Sequence, residues 1–166
     1  MSDWGRVDNT VKPIAEARSP LIRQLYDYWH GKCCGRSMPA RADIDPLDIP
    51  ILLPYLILVD VLPPDGRLKV RLMGTWIVNM FGHDYTGRFL DEVDLGEARG
   101  EILREYAEAA ALARPVCSDH WYRSLGDQLY DIERLILPLS TDGTTVSMLL
   151  IILEFTERRP RPRATI

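Results

Sequence analysis

At 166 residues, with three cysteines, the chain has the length of one domain plus flanking pieces and needs no disulfide staples to bury a core. Fractions of 46% hydrophobic and 27% charged residues are globular values and exclude a mainly disordered, collagenous or fibrous chain. A net charge of -4 gives the whole molecule no attraction for nucleic acid or acidic lipid, and the longest apolar run, Met148 to Leu153, is about half a membrane span.

Residues 1–18 show no sustained period and are expected to form a loose leader. The start Met1-Ser2-Asp3-Trp4 has no signal-peptide pattern, so the expected compartment is the cytoplasm and the expected state of Cys33, Cys34 and Cys117 is the reduced thiol. Ser19-Pro20 is an N-cap followed by a first-turn proline, and Leu21, Leu25, Tyr28 and Trp29 recur at helical spacing as far as Gly31, which predicts a helix over 19–31. Asp45-Pro46-Leu47-Asp48 repeats the start signal for a short helical piece limited by Pro50 and Pro54. Tyr55 to Leu62 reads as a strand, turned by Pro63 to Gly66 into a second strand in which Leu68, Val70 and Leu72 alternate with Lys69 and Arg71.

Thr75 is placed to cap a short helix carrying Trp76, Met80 and Phe81, and Gly82 and Gly87 bracket the turn His83-Asp84-Tyr85-Thr86. Over Glu97 to Ala113, the positions Ile102, Tyr106, Ala109, Ala110 and Ala113 form an apolar helical stripe, with Glu101, Arg104, Glu105 and Glu108 outside it. Three strand-like segments follow, Val116 to Ser124, Tyr130 to Leu139 and Thr145 to Thr156, close enough for antiparallel pairing. Residues 157–166 hold four arginines among prolines and read as a solvated basic tail. This order of elements predicts an α+β fold in which helices cover a sheet.

The segments Met38 to Pro46, Leu53-Pro54-Tyr55, Gly74 to Gly82 and Tyr85 to Glu92, in that order of elements, resemble a PAS domain, in particular a short stand-alone variant common in proteobacteria. The resemblance covers about residues 20–156 and implies one domain over 19–156. It also implies a five-stranded antiparallel sheet of order 2-1-5-4-3, with helices on one face and an N-terminal flanking helix. Sensing or protein interaction is the function it implies, and the inner sheet face is where such folds enclose a small ligand. Two departures bear on cofactors. The helix over Glu97 to Ala113 has no histidine for the PAS type of haem ligation, and no Asn-Cys-Arg segment offers the cysteine of a flavin photocycle, so both are disfavoured.

The residues that carry chemistry are few. Asp119 and His120 are strand neighbours and point to opposite faces, as do Cys117 and His120, so neither pair makes a local dyad. His30, Cys33 and Cys34 lack the spacing of a structural zinc site, and no metal is expected. His83 and Asp84 are a possible acid and base, more simply explained as turn formers; Arg41, Asp43 and Asp45 are either a partner site or a capping and salt-bridge set. Met73, Trp76, Met80, Phe81, Trp121 and Met148 line a pocket if one exists, or fill the core.

The leading expectation is a PAS-type sensory or regulatory module that binds a small, partly apolar ligand and signals through protein contacts, without enzymatic activity. The alternative is a ligand-free interaction module that forms a homodimer through Leu21, Leu25, Tyr28 and Trp29, and the third reading is a small hydrolase or isomerase using His83 or Asp84. A homodimer or a separate signalling protein is the expected partner.

Overall fold

Two late segments, Leu135-Ile136-Leu137 and Leu149 to Ile152, are apolar at every position rather than at every second one, which is the pattern of strands buried on both faces. The computed structural model, which describes residues 10–158 except Glu97, shows why. The strands are β1 (Thr10–Lys12), β2 (Leu56–Leu62), β3 (Arg67–Met73), β4 (Val116–Arg123), β5 (Leu129–Leu139) and β6 (Met148–Glu157). They form one antiparallel sheet of order β1-β4-β5-β6-β2-β3. Numbered without β1, this is the expected 2-1-5-4-3.

The sixth strand corrects the expectation of a loose leader. Thr10, Val11 and Lys12 pair with Asp119, Ser118 and Cys117, and Ala17 is fully buried, so residues 10–18 belong to the fold; residues 1–9 lie outside the described part. Of the basic tail, Glu157 closes β6 and Arg158 Nη2 lies 2.6 Å from an oxygen of Asp131, while 159–166 lie outside the described residues.

Three helices cover the sheet: α1 (Pro20–Cys33), α2 (Thr75–Phe81) and α3 (Arg99–Leu112). The Ser19 side chain accepts from Ile22 N, as its N-cap position requires, and α1 continues two residues past Gly31 because Cys34 itself takes the left-handed conformation, at φ 49°. In α2 the cap is Gly74 rather than Thr75. A Cβ on Gly74 would stand 2.3 Å from the carbonyl oxygen of Pro54, so only glycine lets these backbones meet there.

α2 and α3 lie on the face that carries Ser118, His120 and Arg134, here the front. Glu105 of α3 bonds to Ser118 and Arg134, and Phe81 of α2 packs edge-on against Tyr122 and Phe155. α1 lies against β5 and β6 on the back. Leu25 and Trp29 are buried there, and Trp29 Nε1 donates to the carbonyl of Pro138 at 2.9 Å. Each of these side chains contributes about 1.5 to 3 kcal/mol by burial. Both are therefore interior residues of the monomer, which corrects their expected place in a dimer interface. Half-buried Leu21 packs on the same core, and Tyr28 ties α1 to the following turns through Asp48 Oδ2 at 2.9 Å.

Candidate functional site

Between the front face and its covering elements lies a cavity of about 480 Å³. The sheet contributes Ile57, Val59, Val70, Ile132 and Leu153 to its wall, α3 contributes Ile102 and Tyr106, and α2 with the segment after it contributes Phe81, His83, Tyr85, Leu90 and Leu95. The wall is mainly apolar because strand alternation sends these positions forward while their neighbours point to the back, where α1 covers β5 and β6. Such a space is within the usual range for small-molecule sites.

Part of the wall is polar: His83, Asp94, His120, Arg123 and Arg134 line it. Arg134 on β5 and His120 on β4 are buried, as are Ser118 on β4 and Glu105 on α3 beside them. Arg134 Nη2 donates to Glu105 Oε2 at 2.7 Å and lies 2.7 Å from His120 Nε2. Ser118 Oγ is 2.8 Å from both Glu105 Oε2 and His120 Nε2. The Arg134 guanidinium also sits 5.1 Å from the Tyr106 ring centre.

The ionisation follows from these contacts. Burial alone raises the Glu105 pKa, but bonding to His120 and the charge and bonding of Arg134 outweigh it and bring the carboxyl down to about 2. Burial pushes His120 down, and the Arg134 charge acts the same way against the bond to Glu105. The cluster is therefore a buried Arg–Glu ion pair beside a neutral histidine.

The chain's sequence signals brought some expected residues here and not others. Met73, Phe81 and Trp121 line the cavity, and His83 joins them, stacked on Tyr85 with ring centres 5.9 Å apart. Trp76 does not: it is 41% exposed and packs on Tyr55. Met80 lies outside the wall, and Met148 is buried at the far end of β6, paired with Asp60 and Leu139. Phe81 and Ile77, four residues apart, share the inward face of α2, so Trp76 and Met80, each one residue before them, turn elsewhere.

The charged candidates have local roles. Asp84 Oδ1 accepts from Thr86 N at 2.9 Å and from Thr86 Oγ1 at 2.6 Å, the turn-forming reading. Asp43 accepts from Ala40 N and pairs with Arg36 at 2.9 Å, Arg41 Nη1 donates to Ile44 O, and Asp45 Oδ1 caps Leu47 N. Cys117 is buried away from the cavity, and burial pushes its thiol up to about 11. Among the described residues no cluster of His, Cys, Asp and Glu is placed to hold a metal ion.

Sequence reasoning missed the polar cluster. Glu105 falls outside the apolar stripe of α3 by sequence, whereas it turns inward to Arg134. The available signal was the pair Glu133-Arg134 inside an apolar strand, since adjacent strand residues face opposite ways and one of two buried charges must meet each helical layer.

Glu133 is the back-face half of that pair. Its carboxylate accepts from the backbone N–H groups of Arg18 and Ser19 at 2.9 and 2.8 Å and pairs with Lys12, which also reaches Asp119 at 3.0 Å. Burial by itself raises the Glu133 pKa; the N–H of Arg18 and the Lys12 ammonium lower it below the usual value. β5 thus holds the cavity cluster with one residue and the start of α1 with the preceding one.

The model of the PAS domain family matches residues 17–153. The chain belongs to the PAS domain family. Among solved structures, the PAS domain of a protein from Colwellia psychrerythraea is similar at a TM-score of 0.50 and 12% identity, over 69% of this chain and 100% of that one. A light-oxygen-voltage domain studied with a flavin analogue is similar at a TM-score of 0.50 and 10% identity, over 66% of this chain and 82% of that one. No curated protein matches. At these identities the structural likeness concerns the fold, and the expected antiparallel PAS architecture holds, with β1 added at one edge of the sheet. PAS domains are in general sensory modules, and no helix among the described residues of this one is long and apolar enough to cross a membrane.

Proposed function

We propose that this PAS domain is a sensor that takes a small, partly apolar molecule into the cavity between α3 and the sheet and signals through protein contacts. The observation that carries the reading is the cavity of about 480 Å³, apolar over most of its wall and polar at His83, Asp94, His120, Arg123 and Arg134. The Glu133-Arg134 step supplies the mechanism. A ligand that favours one setting of Arg134 on the front shifts β5, and Glu133 on the back passes the shift to the N–H groups of Arg18 and Ser19, biasing how α1 sits. The wall offers no cysteine and α3 no histidine, so the proposed ligand is held without a thiol adduct or PAS-type haem ligation. Native mass spectrometry of the full chain after exposure to cell extract tests this. A bound mass is expected, and it should disappear in Ile102→Trp, which fills the cavity; an unchanged bare mass, or a bound mass that Ile102→Trp retains, contradicts the proposal.

A second reading, the interaction module, has its own observation. Leu47, Ile51, Leu53 and Leu72 are exposed, at 85%, 68%, 37% and 45%, and Leu53 and Leu72 border a back-face groove with Leu56, Leu58 and Leu150. In this reading the homodimer contact moves from α1 to that groove. Light scattering should then find a dimer that Leu72→Arg converts to monomer; a monomeric parent chain defeats it.

A further inference from the structure

On the back of the sheet α1 covers β5 and β6, and beside it lies the groove of about 400 Å³, with buried Leu56, Leu58 and Leu150 as its floor and half-exposed Leu53 and Leu72 at its sides. The segment that borders it carries two kinds of apolar side chain. Ile49 and Leu52 are buried and anchor the segment, and Tyr28 braces it, its hydroxyl accepting from Asp45 N and donating to Asp48 Oδ2, both at 2.9 Å. Leu47 and Ile51 stand outward at 85% and 68% exposure, between Pro46, Ile49, Pro50 and Leu53, which all line the groove. The segment holds its shape without them. Two aliphatic side chains on a braced rim therefore have no role inside the isolated chain.

Area and charge both point to a second copy. With Leu53, Leu72 and Trp76, these two make five of the eight large apolar side chains that stand exposed among the described residues. A standard interface takes about 800 Å² from each partner, about 65% of it apolar in homodimers, and five such side chains on one face supply most of that share. Arg41 lines the groove and bonds through Nη1 to Ile44 O, while Asp45 stands at the foot of Leu47, its Oδ1 accepting from Leu47 N at 2.9 Å. Neither meets an opposite charge among the described residues. The groove thus has a positive end and the projecting Leu47 a negative foot.

We propose that the groove is filled by the partner's Leu47 and Ile51 in a homodimer, each copy plugging the other about a two-fold axis, with Asp45 of each brought to Arg41 of the other. This rests on the interaction-module reading above and names what occupies its groove. A groove and its own plug on one face are self-complementary, the condition for an isologous contact that closes at two copies. Because the plug is already braced through Tyr28 and Ile49, little conformational freedom is lost when it docks.

Sedimentation of the full chain and its variants tests the proposal, with circular dichroism as the check on folding. Leu47→Asp combined with Ile51→Asp, both at exposed positions, should leave the fold intact and raise the dimer dissociation constant at least about a hundredfold, since four aliphatic side chains leave the interface. Arg41→Asp alone should raise it about tenfold, and Asp45→Arg added to that chain should return it to within about threefold of the parent. A dimer that Leu72→Arg breaks and the Leu47→Asp, Ile51→Asp chain keeps overturns the reciprocal plug and leaves the groove reading standing. Failure of Asp45→Arg to restore the Arg41→Asp chain overturns the pairing of those charges, and a monomeric parent chain overturns the groove reading as well.

Discussion

Arg134 and Glu105 show how much a single buried pair determines. The two charges are almost wholly enclosed, so each is tolerated only because the other is 2.7 Å away, and His120 stays neutral because burial, with the guanidinium beside it, disfavours a second positive charge. A pH dependence follows. Over the acid range the unfolded chain binds more protons than the folded one at both His120, whose folded pKa lies below 6.5, and Glu105, brought from 4.5 down to about 2. Stability therefore falls as pH falls. The His120 part is full above 6.5 and is lost as pH drops through its folded pKa; the Glu105 part, about 3 kcal/mol, is full above 4.5 and is lost toward 2. Urea titrations at pH 7, 5, 4 and 3 should show this decline, and Glu105→Gln should flatten its lower part; an unchanged slope in that variant contradicts the buried-pair account. The pair itself was only half legible. A helical wheel places Glu105 between Ala109 and the outer face, at the edge of the apolar stripe, and the wheel does not say that a cation waits across the sheet.

Among the elements, those with local signals were legible and those made by distant pairing were not. Ser19-Pro20 announced α1, Asp45-Pro46 the turn after it, Pro63 to Gly66 the hairpin, and the Ile102-Tyr106-Ala109 stripe the helix α3. β1 carries only three residues and pairs with a strand more than 100 positions away, so no local period marks it. α1 was legible as an amphipathic helix, but an amphipathic stripe does not name its partner: Leu25 and Trp29 suit a dimer seam and an intramolecular sheet equally, and the structure uses them for the second. Gly74 is a junction of the same kind. It looked like an ordinary turn residue before α2, yet its role is the close approach of Pro54. Gly74→Ala, with a Cβ 2.3 Å from that backbone oxygen, should destabilise by about 3 kcal/mol, at the upper end for overpacking, in chemical denaturation. A cost under about 0.5 kcal/mol, the level of an ordinary surface substitution, would show that the two segments separate readily.

At the scale of the whole molecule, the sheet order came from family resemblance, because no local pattern says which of several antiparallel strands lie side by side. With that order in place, the geometry follows: alternation on β5 and β6 sends one set of side chains to α1 and the other to the cavity under α3, so the same strands form the core and the wall of the site. The account turns on the claim that a molecule in that cavity is felt on the other side of the sheet. The most direct measurement is an amide NMR titration of the full chain with 9-fluorenone as a small, partly apolar probe. The account predicts shifts at Ile102, Tyr106, His120 and Ile132 around the cavity together with Arg18 and Ser19 at the start of α1, whose N–H groups Glu133 holds. Shifts confined to the back-face groove at Leu53 and Leu72, or cavity shifts that leave Arg18 and Ser19 unmoved, would contradict it.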